Sequence, residues 1–316
     1  MGRYIANRLI LLVPVLIGVS FVAFLLIRLV PGDVVQQQIG TDQRVTPEKV
    51  AELRHYYGLD APWPLQYWNW AGQLLHGNLG KSFRSGRTVN EELKLRVPAT
   101  LELTLLAALF GSIPAIAAGV IAAVRRNSIL DYLATLTTLA GAAMPNFWLA
   151  TLLVFVFALK LRWLPPIQYV PLNEGIGENL RHMVLPALAL GAPLATVMMR
   201  QTRSAVLEVL GQDHVRVARA KGLREAVVLN RHVLRNALIP IVTVLGIQIA
   251  RLLGGVFIIE QIFAMPGIGR LTLDAIQNRD YPIVQGVTLV LAVIFVLVSL
   301  IVDVLYAFID PRIRVS

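Results

Sequence analysis

The sequence predicts an all-α integral membrane protein built on six transmembrane helices. Three observations carry that expectation. Hydrophobic residues fill 56% of the 316 positions and charged residues only 15%, whereas soluble domains are about one-quarter charged. The mean hydropathy is accordingly +0.65. Too little polar side chain remains to solvate a globule, and so apolar a chain is not disordered. Six stretches are apolar enough for a bilayer core of about 30 Å, crossed by a helix at about 1.5 Å per residue. The cations fall between these stretches rather than in one patch. Cysteine is absent, which removes disulfides, thiolate metal sites and a Cys nucleophile.

The first span runs from Leu9 to Val30 behind Arg3 and Arg8. It exceeds a signal h-region in length and enters Pro31-Gly32-Asp33 without an A-x-A-like site, so it reads as a retained helix. Segment 31–98 reads as structured and external. Thr46-Pro47-Glu48 supplies an N-cap, a first-turn proline and an acid for a helix that Gly58 closes. Thr88 and Glu91 form a capping box opening a short helix that leads to Pro98. Trp63, Tyr67, Trp68 and Trp70 suit either interfacial anchoring or a platform for an external partner.

The second span is Leu101 to Val124 and the third Leu133 to Ala158, broken at Met144-Pro145-Asn146. The fourth, Val184 to Met199, is short and interrupted by Pro186, Gly191 and Pro193. The fifth runs from Leu238 to Phe263 and the sixth from Ile283 to Ile309. Broken backbone at depth either lines a cavity or is a packing kink. The organisation is thus 1–30, an N-terminus with helix 1; 31–98, external; and 99–316, a five-helix core.

Orientation follows from the short loops. With the N-terminus inside, the inward segments carry 14 Lys and Arg and the outward loops 160–182 and 263–282 carry five. The positive-inside rule places both termini in the cytoplasm. Topology therefore accounts for a net charge of +10, with no nucleic acid required.

Reactive motifs are lacking. Gly80-Lys81-Ser82 ends like a phosphate-binding loop, but the glycine required five residues before Gly80 is Leu75. His55, His76, His182, His214 and His232 have no metal-site spacing, and no G-x-S-x-G elbow is present.

The informative segment lies between the fourth and fifth spans. Gly211 closes the preceding helix, Asp213 serves as N-cap, and residues 214–221 form about two turns before Gly222 stops them. Val215, Ala218 and Leu223 offer a small apolar face rimmed by Arg216, Arg219 and Lys221. That pattern suits insertion into a groove of another protein. It equally suits a basic interfacial helix held by anionic membrane lipid.

Arg251 lies about 20 Å deep in the fifth span. It either attracts an anionic group such as a carboxylate in a pathway or makes a buried structural partnership. Glu102 and Glu260 lie near outer span ends within reach of water, Asp303 a little deeper from the inner end, and Arg28 near an outer boundary.

The run Ala218-Arg219-Ala220-Lys221-Gly222, with His232-Val233-Leu234-Arg235-Asn236-Ala237-Leu238-Ile239-Pro240, closely resembles the inner-membrane permeases of the peptide branch of ABC importers. These serve dipeptides, oligopeptides, glutathione and nickel. Arg28-Leu29-Val30-Pro31-Gly32-Asp33 and Met144-Pro145-Asn146-Phe147-Trp148 agree as well. So do Pro266-Gly267-Ile268-Gly269-Arg270, Arg279-Asp280-Tyr281-Pro282 and Asp310-Pro311-Arg312-Ile313-Arg314. The resemblance implies a type I ABC importer permease fold in a bacterial inner membrane. Helix 213–222 would be its coupling helix. The expected partners are a second homologous permease, two ABC ATPase subunits and an extracytoplasmic solute-binding protein. This chain would then be non-catalytic and hold no cofactor, ATP and Mg being bound by the ATPase subunits. The superfamily's loop glutamate is replaced by Arg216, its alanines are Val217 and Ala218, its glycine is Gly222, and its later proline is Arg235.

Met144, Pro145, Asn146 and Arg251 are the candidate pathway residues, and Arg251 favours a zwitterionic or anionic cargo over a bare cation. Dipeptides or short peptides are the expected cargo, with glutathione or a nickel chelate as alternatives. A self-contained secondary transporter would show inverted repeats and an acidic relay. Neither is visible.

Overall fold

The computed structural model describes residues 2–29 and 60–309. Pro31-Gly32-Asp33, the helix expected over Thr46 to Gly58, and Asp310 to Arg314 lie outside the described residues. So do the side chains of Arg28 and Asp303.

Among the described residues the regular structure is helical, apart from one isolated bridge between Lys81 and Thr88. In order, α1 is Gly2–Leu29, α2 Trp63–Leu75, α3 Val89–Val124, α4 Ile129–Ala143 and α5 Asn146–Lys160. Then come α6 Ile176–Leu210, α7 Asp213–Ala220, α8 Glu225–Ile262, α9 Ile268–Gln277 and α10 Tyr281–Ile309. Helices α3, α6, α8 and α10 are long and apolar enough to cross a membrane. Helices α4 and α5 together form a fifth candidate, bent by 103°. The described apolar part of α1 is Ile10–Leu25.

Three expectations change. The short helix before Pro98 and the second span are one helix of 36 residues that runs through Pro98 and Pro114, carrying the lost ladder bond and the crowded carbonyl that each interior proline imposes. The capping box that opens it forms as expected. The Thr88 amide donates to Glu91 Oε2 at 3.0 Å, and the Glu91 amide donates to Thr88 Oγ1 at 3.3 Å. The fourth span is not interrupted either; α6 passes through Pro186 and Pro193 for 35 residues. Neighbouring helices enclose it, and such surroundings make proline tolerable at depth. The third span, by contrast, turns far more sharply than a packing kink.

Contacts divide the chain into two compact units. One comprises Asn7–Val97 and Leu271–Ile294. In it, Tyr67 of α2 meets both Phe21 and Phe24 of α1 edge-on, and Trp70 lies tilted against Phe24. The Tyr67 hydroxyl lies 2.9 Å from Ser20 Oγ. Trp63 and Trp68 remain exposed, so the aromatic cluster is half structural. The Ser82 hydroxyl donates to Asp280 Oδ2, and the Phe83 amide donates to Asp280 Oδ1 at 3.1 Å. This serine is thus committed to a carboxylate.

The other unit comprises Met1–Ala6, Pro98–Arg270 and Phe295–Ser316. Within its core, α3 and α6 meet along a seam of small residues. A Cβ on Gly111 would stand 2.6 Å from the Gly191 carbonyl oxygen, and one on Gly191 would stand 2.6 Å from that of Ala107. One on Gly119 would meet the Met199 carbonyl at 2.7 Å. Without much hydrophobic drive between helices in lipid, such backbone approach supplies the packing. Helix α4 is fastened to α6 by polar contacts. Thr196 Oγ1 donates to the Thr138 carbonyl at 2.6 Å. Arg203 grips Asp131 through two bonds, Nε to Oδ1 at 2.7 Å and Nη2 to Oδ2 at 2.8 Å.

Candidate functional site

Helix α7 forms where the sequence places it, but its ends and its faces differ from expectation. Gly211 caps α6 with φ −81°, an ordinary right-handed conformation. Gln212, not Asp213, is the N-cap, and it makes no side-chain capping bond. Asp213 is the first helical residue, almost wholly exposed and 3.4 Å from Arg216. A carboxylate in the first turn still complements the helix dipole. Gly222 takes φ +75°, the left-handed conformation that ends the helix.

The apolar face is the larger correction. Val215 is 0% and Ala218 5% exposed. Both belong to the chain's own core, and α7 packs on the π-helical stretch Val228–Leu234 at the foot of α8. The chain itself covers both, so neither lies on the open side of α7. The exposed side presents Arg216, Val217, Lys221 and Leu223. Arg219 reaches forward to Glu225, its Nη2 donating to Oε1 at 2.6 Å and its Nε to Oε2 at 3.2 Å. This bond holds the guanidinium pKa above its already high ordinary value, so Arg219 is a permanent cation. The pair is about half exposed and contributes little stability, at most about 1 kcal/mol.

Beside α7 lies a cavity of about 450 Å³ lined by Glu208, Gln212, His214 and Asn236, among others. Asn236 Nδ2 donates to the His232 carbonyl at 2.8 Å, and His214 Nε2 lies 3.4 Å from both. Among the described residues no cluster of His, Asp or Glu is suited to a metal.

The candidate pathway residues come from two places. Met144 ends α4 in an extended conformation, and Pro145 opens α5 at φ −58°, ψ 140°. The amides of Trp148 and Leu149 both donate to the Pro145 carbonyl at 3.0 Å. After this turn the Asn146 amide nitrogen stands 4.0 Å from where a Cβ on Gly255 would be. Gly255 is one turn beyond Arg251, so the break and the fifth span meet. Arg251 is exposed, and its Nη1 donates to Gln248 Oε1 at 3.3 Å. Among the described residues no carboxylate lies within ion-pair distance of it.

Glu260 is not within reach of water, as its place near a span end suggested; it is 0% exposed. Thr100 Oγ1 donates to its Oε1 at 2.6 Å and the Arg270 amide to its Oε2 at 2.9 Å. Thr100 Oγ1 in turn accepts from the Ile268 amide at 2.8 Å. A Cβ on Gly267 would overlap the carboxylate, so Pro266-Gly267-Ile268-Gly269-Arg270 is a wrapping for Glu260. Glu102 accepts from the Tyr169 hydroxyl at 2.8 Å. Sequence reasoning missed the Asp131–Arg203 pair, for which no local signal exists. It also missed the α3 seam, which was visible as Ala107, Gly111, Ala115 and Gly119 spaced by four.

Residues 115–315 match the family described as the binding-protein-dependent transport system inner membrane component, and residues 1–104 match its N-terminal family. The dipeptide transport system permease protein DppB of Alkalihalophilus pseudofirmus is 41% identical, covering 99% of this chain and 100% of its own. The di/tripeptide transport system permease protein DppB of Pseudomonas aeruginosa is 44% identical over 99% of both chains. DppB of Escherichia coli is 40% identical, again over 99% of both. An inward-facing structure of the MetNI methionine ABC transporter shares the fold, with TM-score 0.58 and 17% identity over 69% of this chain and 96% of that one. The chain belongs to the inner-membrane components of binding-protein-dependent transport systems, in the peptide branch of the ABC importer permeases.

Proposed function

We propose that this chain is one of two homologous permeases enclosing the pathway of an ATP-driven importer for dipeptides or short peptides. The observation that carries the cargo is identity of 40% or more, over nearly the full chain, to permeases named for dipeptides or di/tripeptides. Both termini face the cytoplasm and segment 31–98 faces outward, on the strength of the cation asymmetry. An external solute-binding protein delivers cargo there. Two ATPase subunits bind ATP and Mg on the inner side, and this chain is not itself an enzyme.

Helix α7 is the coupling element. Arg216, Val217, Lys221 and Leu223 dock on an ATPase subunit, Asp213 and Arg219 fix the ends of the helix, and Gly222 terminates it. Val215 and Ala218 join it to α8. ATP closure of the ATPase pair then pulls on the foot of the fifth span. To move the pathway from 1:99 to 99:1 outward-open, ATP must favour that state by about 5.5 kcal/mol. Met144, Pro145, Asn146 and Arg251 face the pathway between the two permeases.

The test is the purified complex with its binding protein, scored by ATPase stimulation and uptake for dipeptides, longer peptides, glutathione and nickel chelate. Stimulation by dipeptides supports the reading. Stimulation by nickel chelate alone overturns the cargo and leaves the coupling argument standing. Uptake that persists without the ATPase subunits would replace it with a secondary transporter.

A further inference from the structure

Arg251 carries a charge that no described carboxylate of its own chain neutralises. It is about 20 Å along α8 from the start of the apolar run at Leu238, beyond the reach of a side chain stretching to the headgroups. Facing lipid there is costly, so the guanidinium meets water or a ligand. Its surroundings are shaped for the second. Gln248, only 7% exposed, accepts one Nη1 bond at 3.3 Å and fixes the head while leaving other N–H groups free.

Side chains on a helix lean towards its N-terminus, so the guanidinium lies on the Gln248 side and the surface over Gly254 stays open. Nothing stands within 4 Å of where a Cβ on Gly254 would be. Asn146 closes the opposite border, its amide brought to Gly255 by the 103° turn between α4 and α5. A cation with free donors and a neutral amide thus flank one open strip of α8. The group matching a guanidinium fork is a planar carboxylate, and an amide offers a neighbouring carbonyl one donor.

We propose that Arg251, oriented by Gln248 and bordered by Asn146, receives the C-terminal carboxylate of a peptide in transit, with Asn146 meeting a backbone carbonyl. This rests on the reading of the chain as a peptide permease. It makes the pathway selective for peptides with a free C-terminus, independently of any selection by the binding protein.

The test uses the full complex in proteoliposomes, with labelled dialanine as cargo. Arg251→Ala is expected to lower uptake roughly 10-fold or more, the weight of a lost charge-assisted hydrogen bond. Uptake is scored per assembled complex, so a change in the amount of complex is not counted as a change in transport. Arg251→Lys should recover part of the uptake, because it keeps the charge and loses the fork. A second measurement bypasses the binding protein. Dialanine and its C-terminal amide compete for the vanadate-trapped complex, which should prefer the free acid in wild type and lose that preference in Arg251→Ala. Equal uptake by Arg251→Ala, or no preference in wild type, overturns the proposal. A variant that no longer assembles with the second permease also overturns it, by making Arg251 an interface residue. If wild type takes up no peptide of any kind, the parent reading fails instead.

Discussion

Replacing Val215 by alanine separates the two faces of α7. Val215 is fully buried against the foot of α8. The change removes two methyl groups, each about 0.8 kcal/mol of burial. A hole that closes incompletely adds to this, for a total of about 2 kcal/mol. If that loss falls on the contact between α7 and α8, detached α7 becomes roughly 30-fold more populated. The exposed side chains Arg216, Val217, Lys221 and Leu223, proposed to dock on the ATPase, are untouched. Hydrogen exchange of residues 211–224 in the solubilised complex should therefore accelerate, and uptake per ATP hydrolysed should fall. Val217→Asp is the companion. Val217 is half exposed, so exchange should match wild type within about 0.5 kcal/mol, while ATPase subunits bind several-fold more weakly. If Val217→Asp loosens α7 and Val215→Ala does not, the assignment of faces is wrong.

Gly267→Ala places a methyl where the Glu260 carboxylate stands. It should cost about 3 kcal/mol through a displaced buried acceptor, seen as a fall in the detergent melting temperature; an unchanged melting point would contradict the wrapping. Asp131→Ala strands Arg203, whose side chain is 30% exposed, so the loss should be about 1–3 kcal/mol, short of that for a wholly buried pair. Arg203→Lys should recover only part of it, because the fork is lost. Gly111→Leu drives a side chain into the Gly191 backbone and should block assembly with the ATPase subunits at normal membrane insertion. Ser82→Ala should accelerate proteolysis in loop 76–88 without changing nucleotide photolabelling of the complex.

Of the six expected spans, four, and a fifth as a bent pair, appear among the described residues; they could be read because lipid imposes one local requirement, a helix of sufficient apolar length. The Thr88–Glu91 capping box and the stop at Gly222 are local as well, and both form. The errors arise where a partner distant in sequence decides. Nothing near Val215 says that its face belongs to α8 rather than to another protein, since an apolar residue on an amphipathic helix suits either. Glu260 looked accessible because depth along a helix was the only guide, and the loop that covers it follows later in the chain. Prolines 186 and 193 looked like interruptions because propensity assumes water, while α6 is enclosed by other helices. Asp131 and Arg203 sit on different helices, and neither announces the other.

The α3–α6 seam also limits how the protein can move. Backbones that touch through glycine have no layer of side chains to shear, so these two helices travel together like a spliced beam, and α4 is riveted to it by Asp131, Arg203 and Thr196. Flexing is left to places where the hydrogen-bond ladder is already irregular. Those include the turn at Met144-Pro145, the π-helical end of α5 at Val154–Lys160 and the π-helical foot of α8 at Val228–Leu234. The first carries Asn146, and the last is the seat of α7. Two of these joints therefore adjoin the proposed cargo strip and the proposed coupling helix.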